Sequence, residues 1–313
     1  MNVLLFPGQG SQIVGMGSEF YKKFDVVKKI FRKADERLGF SLSKMILEGP
    51  SEELQLTKNT QPAILTVSYS IFKVLIEEFN FKTNEFKFFA GHSLGEYTAL
   101  VCSNSLEFDD AIHLLHERGK AMQEAVPAGK GSMAAVLGLN IIELKNLLQK
   151  HKKGICEIAN DNAESQVILS GEKEGVNQVL ERLKEKKIKF IPLKVSAPFH
   201  CSMMKIAAKK MEEKIKNTTF KNPKYEIINN VTANVEKVPN KIKNLLVEQI
   251  FSPVRWRESI IFMSKLGVKN FIEIGPGKAL TGMIKRTIKD KEANCFSINT
   301  ITDIKNLNDK FKK

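Results

Sequence analysis

The sequence predicts an α/β protein with a mostly parallel sheet, interrupted by a small inserted domain of ferredoxin-like βαββαβ order. Three observations predict it. Short strand-like segments at 3–6, 86–90 and 270–274 each end in a glycine turn, and stretches with helical apolar spacing separate them, the alternation expected of a parallel sheet covered on both faces. Residues 131–196 read strand, helix, strand, strand, helix, strand, which is the order of the small unit. A serine between glycines, Gly91-His92-Ser93-Leu94-Gly95, falls where a strand should turn into a helix.

Taken in order, residues 3–6 form a strand that ends in the turn Pro7-Gly8-Gln9-Gly10, followed by an amphipathic stretch through Phe20, Val27, Ile30 and Phe31. A polar cluster at 57–61 precedes a helix over 63–79, and 86–90 is a short buried strand meeting Gly91 at a sharp turn. Apolar helix resumes at Tyr97. The small unit divides into a strand at 133–139, a helix at 141–150, strands at 155–159 and 166–170, a helix at 176–186 and a strand at 190–195. Pro127-Ala128-Gly129 and Ala197-Pro198 bound it, giving a main domain of 1–128 and 197–313 and a small domain of 129–196. Beyond it come a helix at 202–215, a strand at 226–229, helices at 242–250 and 253–266, and a strand at 270–274 closed by Gly275-Pro276-Gly277. The lysine-rich last dozen residues are expected to fray.

A chain of 313 residues with 42% hydrophobic content can bury a large core. The stretch 1–10 passes from apolar residues straight into a glycine-rich turn, so the fold is expected to start there, without a signal segment. No apolar run approaches the roughly 18–20 residues that span a bilayer, and a soluble protein without a membrane partner is expected. Cys102, Cys156, Cys201 and Cys295 are scattered without a C-x-x-C pair, which argues against a zinc knuckle or a disulfide framework and for a reducing, cytoplasm-like compartment or organelle matrix. The net charge of +14 rests mainly on lysine, with only seven arginines among 49 basic residues. It fits a solvated surface, or attraction to a phosphate-rich cofactor or an acidic protein. Nucleic acid has no recognition motif to support it.

In its strand-to-helix setting, Gly91-His92-Ser93-Leu94-Gly95 fits the nucleophile elbow of an α/β-hydrolase-like fold, with the Ser93 hydroxyl raised at a helix N-terminus. The Leu94 N–H would supply one oxyanion donor. A serine needs a base within reach, and there are five histidines. His92 is fixed in the turn beside Ser93 as a packing or supporting residue, His113 and His116 share a surface helix without a third ligand, and His151 lies in a lysine-rich helix end. His200, in the proline-bent loop Ser196-Ala197-Pro198-Phe199-His200-Cys201, is the expected base. Nothing in the sequence singles out an acidic partner for it.

Further motifs accompany the elbow: Phe6-Pro7-Gly8-Gln9-Gly10-Ser11-Gln12, Asn59-Thr60-Gln61-Pro62-Ala63, Glu117-Arg118-Gly119 with Met122-Gln123, residues 197–200, Gln249, Pro253-Val254-Arg255-Trp256 and Glu273-Ile274-Gly275-Pro276-Gly277. Each is short, but together and in this order they resemble the malonyl-CoA:acyl carrier protein transacylases of fatty acid synthesis along nearly the whole chain. The resemblance implies that the Gln9 N–H is the second oxyanion donor, that Arg118 binds the free malonyl carboxylate, and that the Gln249 main-chain carbonyl orients His200. It places Gln61, Asn160 and Met122 around the acyl group, with Phe199 restricting room beside its α-carbon. A guanidinium can hold a carboxylate through two parallel bonds, which lysine cannot reproduce.

The resulting expectation is a ping-pong acyltransferase. Malonyl passes from malonyl-CoA to Ser93 and on to the pantetheine thiol of an acidic acyl carrier protein, with no metal or redox cofactor and a monomeric chain. A serine hydrolase such as a thioesterase, or a non-catalytic basic scaffold, are the alternatives.

Overall fold

A computed structural model describes every residue except 150, 152, 196, 290–292 and 312–313. The strands in chain order are β1 (Asn2–Phe6), β2 (Phe86–Gly91), β3 (Gly131–Leu137), β4 (Cys156–Ala163), β5 (Gln166–Glu172), β6 (Lys189–Pro192), β7 (Glu226–Ile228), β8 (Val235–Glu236), β9 (Asn270–Ile274) and β10 (Asn294–Ile298). Six of them form one sheet in the order β10-β9-β1-β2-β7-β8. Its neighbours pair in parallel, apart from the antiparallel β7 and β8.

The alternation of side chains along β1 explains why that strand is apolar from Val3 to Phe6. Leu4 and Phe6 enter a large core with Phe89 and with the helices Thr57–Glu77, Gly95–Cys102 and Phe108–Glu124. Val3 and Leu5 point the other way, into a second core with Phe88, Trp256, Ile260 and Phe271. A sheet with both faces covered leaves residues 3–6 no side open to solvent, and the one polar residue of β1, Asn2, is paired with Asn270 on β9. The architecture is therefore an α/β-hydrolase-like main body.

The other four strands make an antiparallel sheet in the order β4-β5-β3-β6, the arrangement of a ferredoxin-like unit. The helices Ile141–Gln149 and Lys173–Glu185 cover one face through Leu144, Val176, Val179 and Leu183 against Ala134, Val136, Val167 and Leu169. Its opposite face carries Met133, Ala135, Ala159 and Ile168, and these join the large core of the main body. One side of the small sheet is thus a wall of the space between the two sheets.

Several boundaries differ from the sequence-based expectation. β4 continues to Ala163 rather than ending near 159, because Asn160, Asp161 and Asn162 are buried although polar. β6 stops at Pro192, short of 195, and Leu193 and Val195 turn into the cavity described below. The helix expected from 63 starts at Thr57, with Pro62 in its second turn. The tail expected to fray is a helix, Ile301–Phe311, held by buried Ile301, Ile304 and Leu307. β8 and β10 were not foreseen. The expected ends at Lys150 and Ser196, and the last two lysines, lie outside the described residues. No described helix is long and apolar enough to cross a membrane.

Candidate active site

β2 leads into the elbow, and both of its glycines are dictated by close approach. A Cβ on Gly91 would lie 1.9 Å from the Gly95 carbonyl carbon, and one on Gly95 would lie 2.2 Å from the Phe6 carbonyl oxygen. With side chains excluded, the turn tightens until Ser93 sits at a left-handed φ of 53°, a strained conformation for a residue other than glycine. Asn230, just beyond β7, braces the turn from both sides. Its Oδ1 accepts the Ser93 main-chain N–H at 2.7 Å and its Nδ2 donates to the Gly91 carbonyl at 2.8 Å.

The Ser93 hydroxyl is 2.8 Å from His200 Nε2, and His200 Nδ1 is 2.8 Å from the carbonyl oxygen of Gln249. A carbonyl only accepts, so Nδ1 carries the proton and Nε2 presents a lone pair to the serine hydroxyl. Gln249 is the last residue of the helix Pro239–Gln249. Burial pushes the His200 pKa down to about 3, and the positive charge of Arg118 adds to the effect. The imidazole is therefore neutral at pH 7, the form a general base requires.

Arg118, on the helix Phe108–Glu124, is fully buried. Its Nη1 donates to Gln61 Oε1 at 2.7 Å, and its Nη2 donates to Ser93 Oγ at 3.1 Å and to Gln249 Oε1 at 2.9 Å. Its Nε has no partner among the described residues, and Tyr97 lies alongside with its ring centroid 5.8 Å from the guanidinium carbon. Gln61 Nε2 points at the Met122 sulfur, 3.7 Å away.

A cavity of about 230 Å³ opens in front of Ser93. Every residue given a catalytic, oxyanion or acyl-binding role from the sequence lines it except Gln249, which lies behind Arg118 and His200. Gln9 and Leu94 are on its wall, and neither main-chain N–H has an acceptor among the described residues. Met133, Ile168, Leu193 and Val195 from the small unit close the apolar side with Phe199. β4 is fixed over the cavity by main-chain bonds between Val254 and both Ala159 and Asp161, each 2.9 Å, and by Arg257, whose Nε reaches both Asp161 carboxylate oxygens at 3.0 Å. Asn160 and Asn162 are held at the rim as a result.

His92 takes the supporting place expected of it: its Nε2 bonds Asn162 Oδ1 at 2.8 Å and its ring meets Trp256 edge-on. His116 bonds the Lys58 carbonyl, and no group of metal-binding side chains occurs among the described residues. His151, expected in solvent, buries both ring nitrogens. Asn162, Asn230 and Glu96 were missed. Glu96 had a legible signal, a lone charge in the apolar run of the helix Gly95–Cys102; Asn162 and Asn230 had none, because their partners lie 70 and 137 residues away.

An acyl transferase domain model matches residues 3–311. The malonyl CoA-acyl carrier protein transacylase of Bacillus subtilis is 45% identical over 285 residues, covering 90% of this chain and 89% of that protein. The chain belongs to the malonyl-CoA:acyl carrier protein transacylase family. Membership makes it an acyltransferase and accounts for the order of its motifs. A crystal structure of the acyl-carrier-protein S-malonyltransferase of Bartonella henselae superposes with a TM-score of 0.95 at 37% identity, covering 100% of this chain and 99% of that one. A malonyl-transacylase solved in complex with a type II polyketide acyl-carrier protein superposes at a TM-score of 0.92 and 38% identity, with 97% of each chain covered.

Proposed function

We propose that this transacylase moves a malonyl group from malonyl-CoA to the pantetheine thiol of acyl carrier protein through an ester on Ser93, supplying extender units for fatty acid synthesis. One observation carries the proposal: Ser93 Oγ lies between a neutral imidazole nitrogen at 2.8 Å and a buried guanidinium nitrogen at 3.1 Å. The first makes the hydroxyl nucleophilic, and the second puts a carboxylate receptor within one acyl group's length of it.

In the first half-reaction, His200 Nε2 takes the Ser93 proton as Oγ attacks the thioester carbon. The tetrahedral oxyanion is held by the Gln9 and Leu94 N–H groups. The intermediate collapses, the C–S bond breaks, and the proton leaves with the coenzyme A thiol. The carrier thiol then attacks the ester, giving its proton to His200, which returns it to Ser93. Arg118 orients the malonyl carboxylate throughout, Gln61, Asn160 and Met122 frame the acyl group, and Phe199 crowds its α-carbon and so favours malonyl over branched acyl groups. The chemistry requires no metal or redox cofactor. The apolar wall from the small unit limits water, the competing nucleophile.

In this proposal 1–128 and 197–313 form the catalytic domain and 129–196 the small domain, working as a monomer in a cytoplasm or an organelle matrix. The relative solved with a carrier protein supports a carrier as second substrate. The test is intact-protein mass after brief mixing with malonyl-CoA. A malonyl-sized increment discharged by carrier protein faster than by water is expected; discharge by water just as fast would identify a hydrolase, and no increment a non-catalytic scaffold.

Two further outcomes follow from the site and its charge. With the His200 pKa held near 3, the acylation rate at saturating malonyl-CoA should stay flat from pH 7 to pH 5, where a histidine titrating near its usual value of about 6.5 would lose roughly tenfold per unit. Stopped-flow release of coenzyme A measures it. Folding stability follows the same group: a depressed histidine pKa contributes fully above about 6.5 and its contribution is lost as pH falls towards 3. The net charge of +14 should speed encounter with an acidic carrier, so transfer to the carrier should weaken with added salt more steeply than transfer to free pantetheine. Equal salt dependence would remove that role for the surface.

A further inference from the structure

Glu96 is fully buried, and no step above uses it. Its carboxylate accepts from Asn229 Nδ2 at 2.6 Å, from the Asn230 main-chain N–H at 3.0 Å and from Gln249 Nε2 at 2.8 Å. Gln249 Oε1 in turn accepts from Arg118 Nη2 at 2.9 Å, so one amide separates a buried carboxylate from a buried guanidinium. The hydrogen bonds of Arg118 go to neutral groups, Gln61, Ser93 and Gln249. A buried cation without a nearby negative charge is costly, and Glu96 is the charge that the fold supplies.

We propose that Glu96 is the internal counter-ion of Arg118, and that a malonyl carboxylate arriving at Arg118 takes over that role, so that Glu96 gains a proton as malonyl binds. The inference rests on the malonyl reading of the site. Two carboxylates sharing one guanidinium in a low-dielectric space repel, and the one already short of solvent is the one that protonates. Burial already pushes Glu96 up to about 7, against its three donors and Arg118. The titratable groups facing it are Arg118 and its neighbour Tyr97, whose phenol burial pushes up to about 12 and keeps neutral. Asn229, Asn230 and Gln249, from the elements packed against it, are uncharged. The proton comes from solvent and settles on Oε1, which meets one donor where Oε2 meets two. Because binding takes up a proton, malonyl affinity should fall as pH rises above about 7, by at most tenfold per unit, and should level off below, where Glu96 is protonated already.

The experiment is calorimetric titration of Ser93→Ala with malonyl-CoA and with coenzyme A, in two buffers of different ionisation enthalpy near pH 7.5. Subtracting the coenzyme A result cancels protons exchanged by the nucleotide phosphates and the basic surface. Expected is a net uptake of about half a proton or more per malonyl-CoA. In Ser93→Ala with Glu96→Gln the uptake should vanish, and malonyl-CoA should bind several-fold tighter near pH 8. An absent difference, an uptake that survives Glu96→Gln, or weaker malonyl binding in that variant would each overturn the proposal. Should the double variant fold poorly, the uptake and the affinity trend from pH 6 to 8 in Ser93→Ala alone still decide. Malonyl-CoA binding no tighter than coenzyme A would count against the malonyl reading itself, a separate result.

Discussion

Ser93→Ala should gain no malonyl-sized mass on mixing with malonyl-CoA, and its transfer to carrier protein should fall by about 10⁶-fold, the loss seen when a hydrolase triad loses its nucleophile. The variant should remain folded. The brace on the elbow runs from Asn230 to main-chain groups of Ser93 and Gly91, which the substitution leaves in place. Of the partners of Oγ, His200 keeps the Gln249 carbonyl and Arg118 keeps Gln61 and Gln249. Circular dichroism alongside the mass measurement separates lost chemistry from lost structure. An increment that persists in the variant would place the ester on another residue, and transfer that persists without an increment would remove the ping-pong scheme.

The second large effect is selective. Arg118→Ala should lower kcat/KM for malonyl transfer by about 10²- to 10³-fold, since losing one partner of a desolvated charge pair costs about 2–5 kcal/mol. Acetyl transfer should fall far less, because an acetyl group offers a methyl where malonyl offers a carboxylate. It will not be untouched, since Gln61 and Gln249 each lose the donor that now fills their side-chain oxygens. Arg118→Lys should fail to restore malonyl transfer, because an ammonium cannot make two parallel bonds to a carboxylate. Measuring both acyl groups with each variant decides the matter: equal losses would make Arg118 a structural residue and return the site to the hydrolase alternative.

How much of this was legible in the sequence depended on the range of the interactions. The elbow was legible because its glycines, serine and flanking strand are neighbours in the chain. His200 could be reached by elimination, since a chain with five histidines leaves few bases to choose from. The other partners of Ser93 were not reachable from local residues. Asn230 braces the elbow across 137 residues and Gln249 reaches Arg118 across 131, and in sequence an asparagine or glutamine in a mixed stretch looks like any surface residue. The same holds for β4, whose polar run at 160–162 reads as a loop and becomes strand only because Val254 and Arg257 receive it. The terminal helix was misjudged for a related reason: its lysines are conspicuous, while the three apolar residues that hold it act only once β10 and the main core are there to receive them.

The group bonded to His200 Nδ1 is not a side chain. It is a carbonyl at the last turn of a helix, where main-chain oxygens lack partners within the helix and carry the negative end of its dipole, equivalent to about half an elementary charge. In the proposed mechanism the helix end would stand in for the carboxylate of a conventional triad, steadying the imidazolium less strongly and letting it surrender its proton more readily to a departing thiol. It also hides from mutagenesis. Substitution at position 249 changes what Arg118 and Glu96 meet, yet every residue placed there brings the same oxygen, so a scan of side chains would find a dyad where the chain path has built a triad.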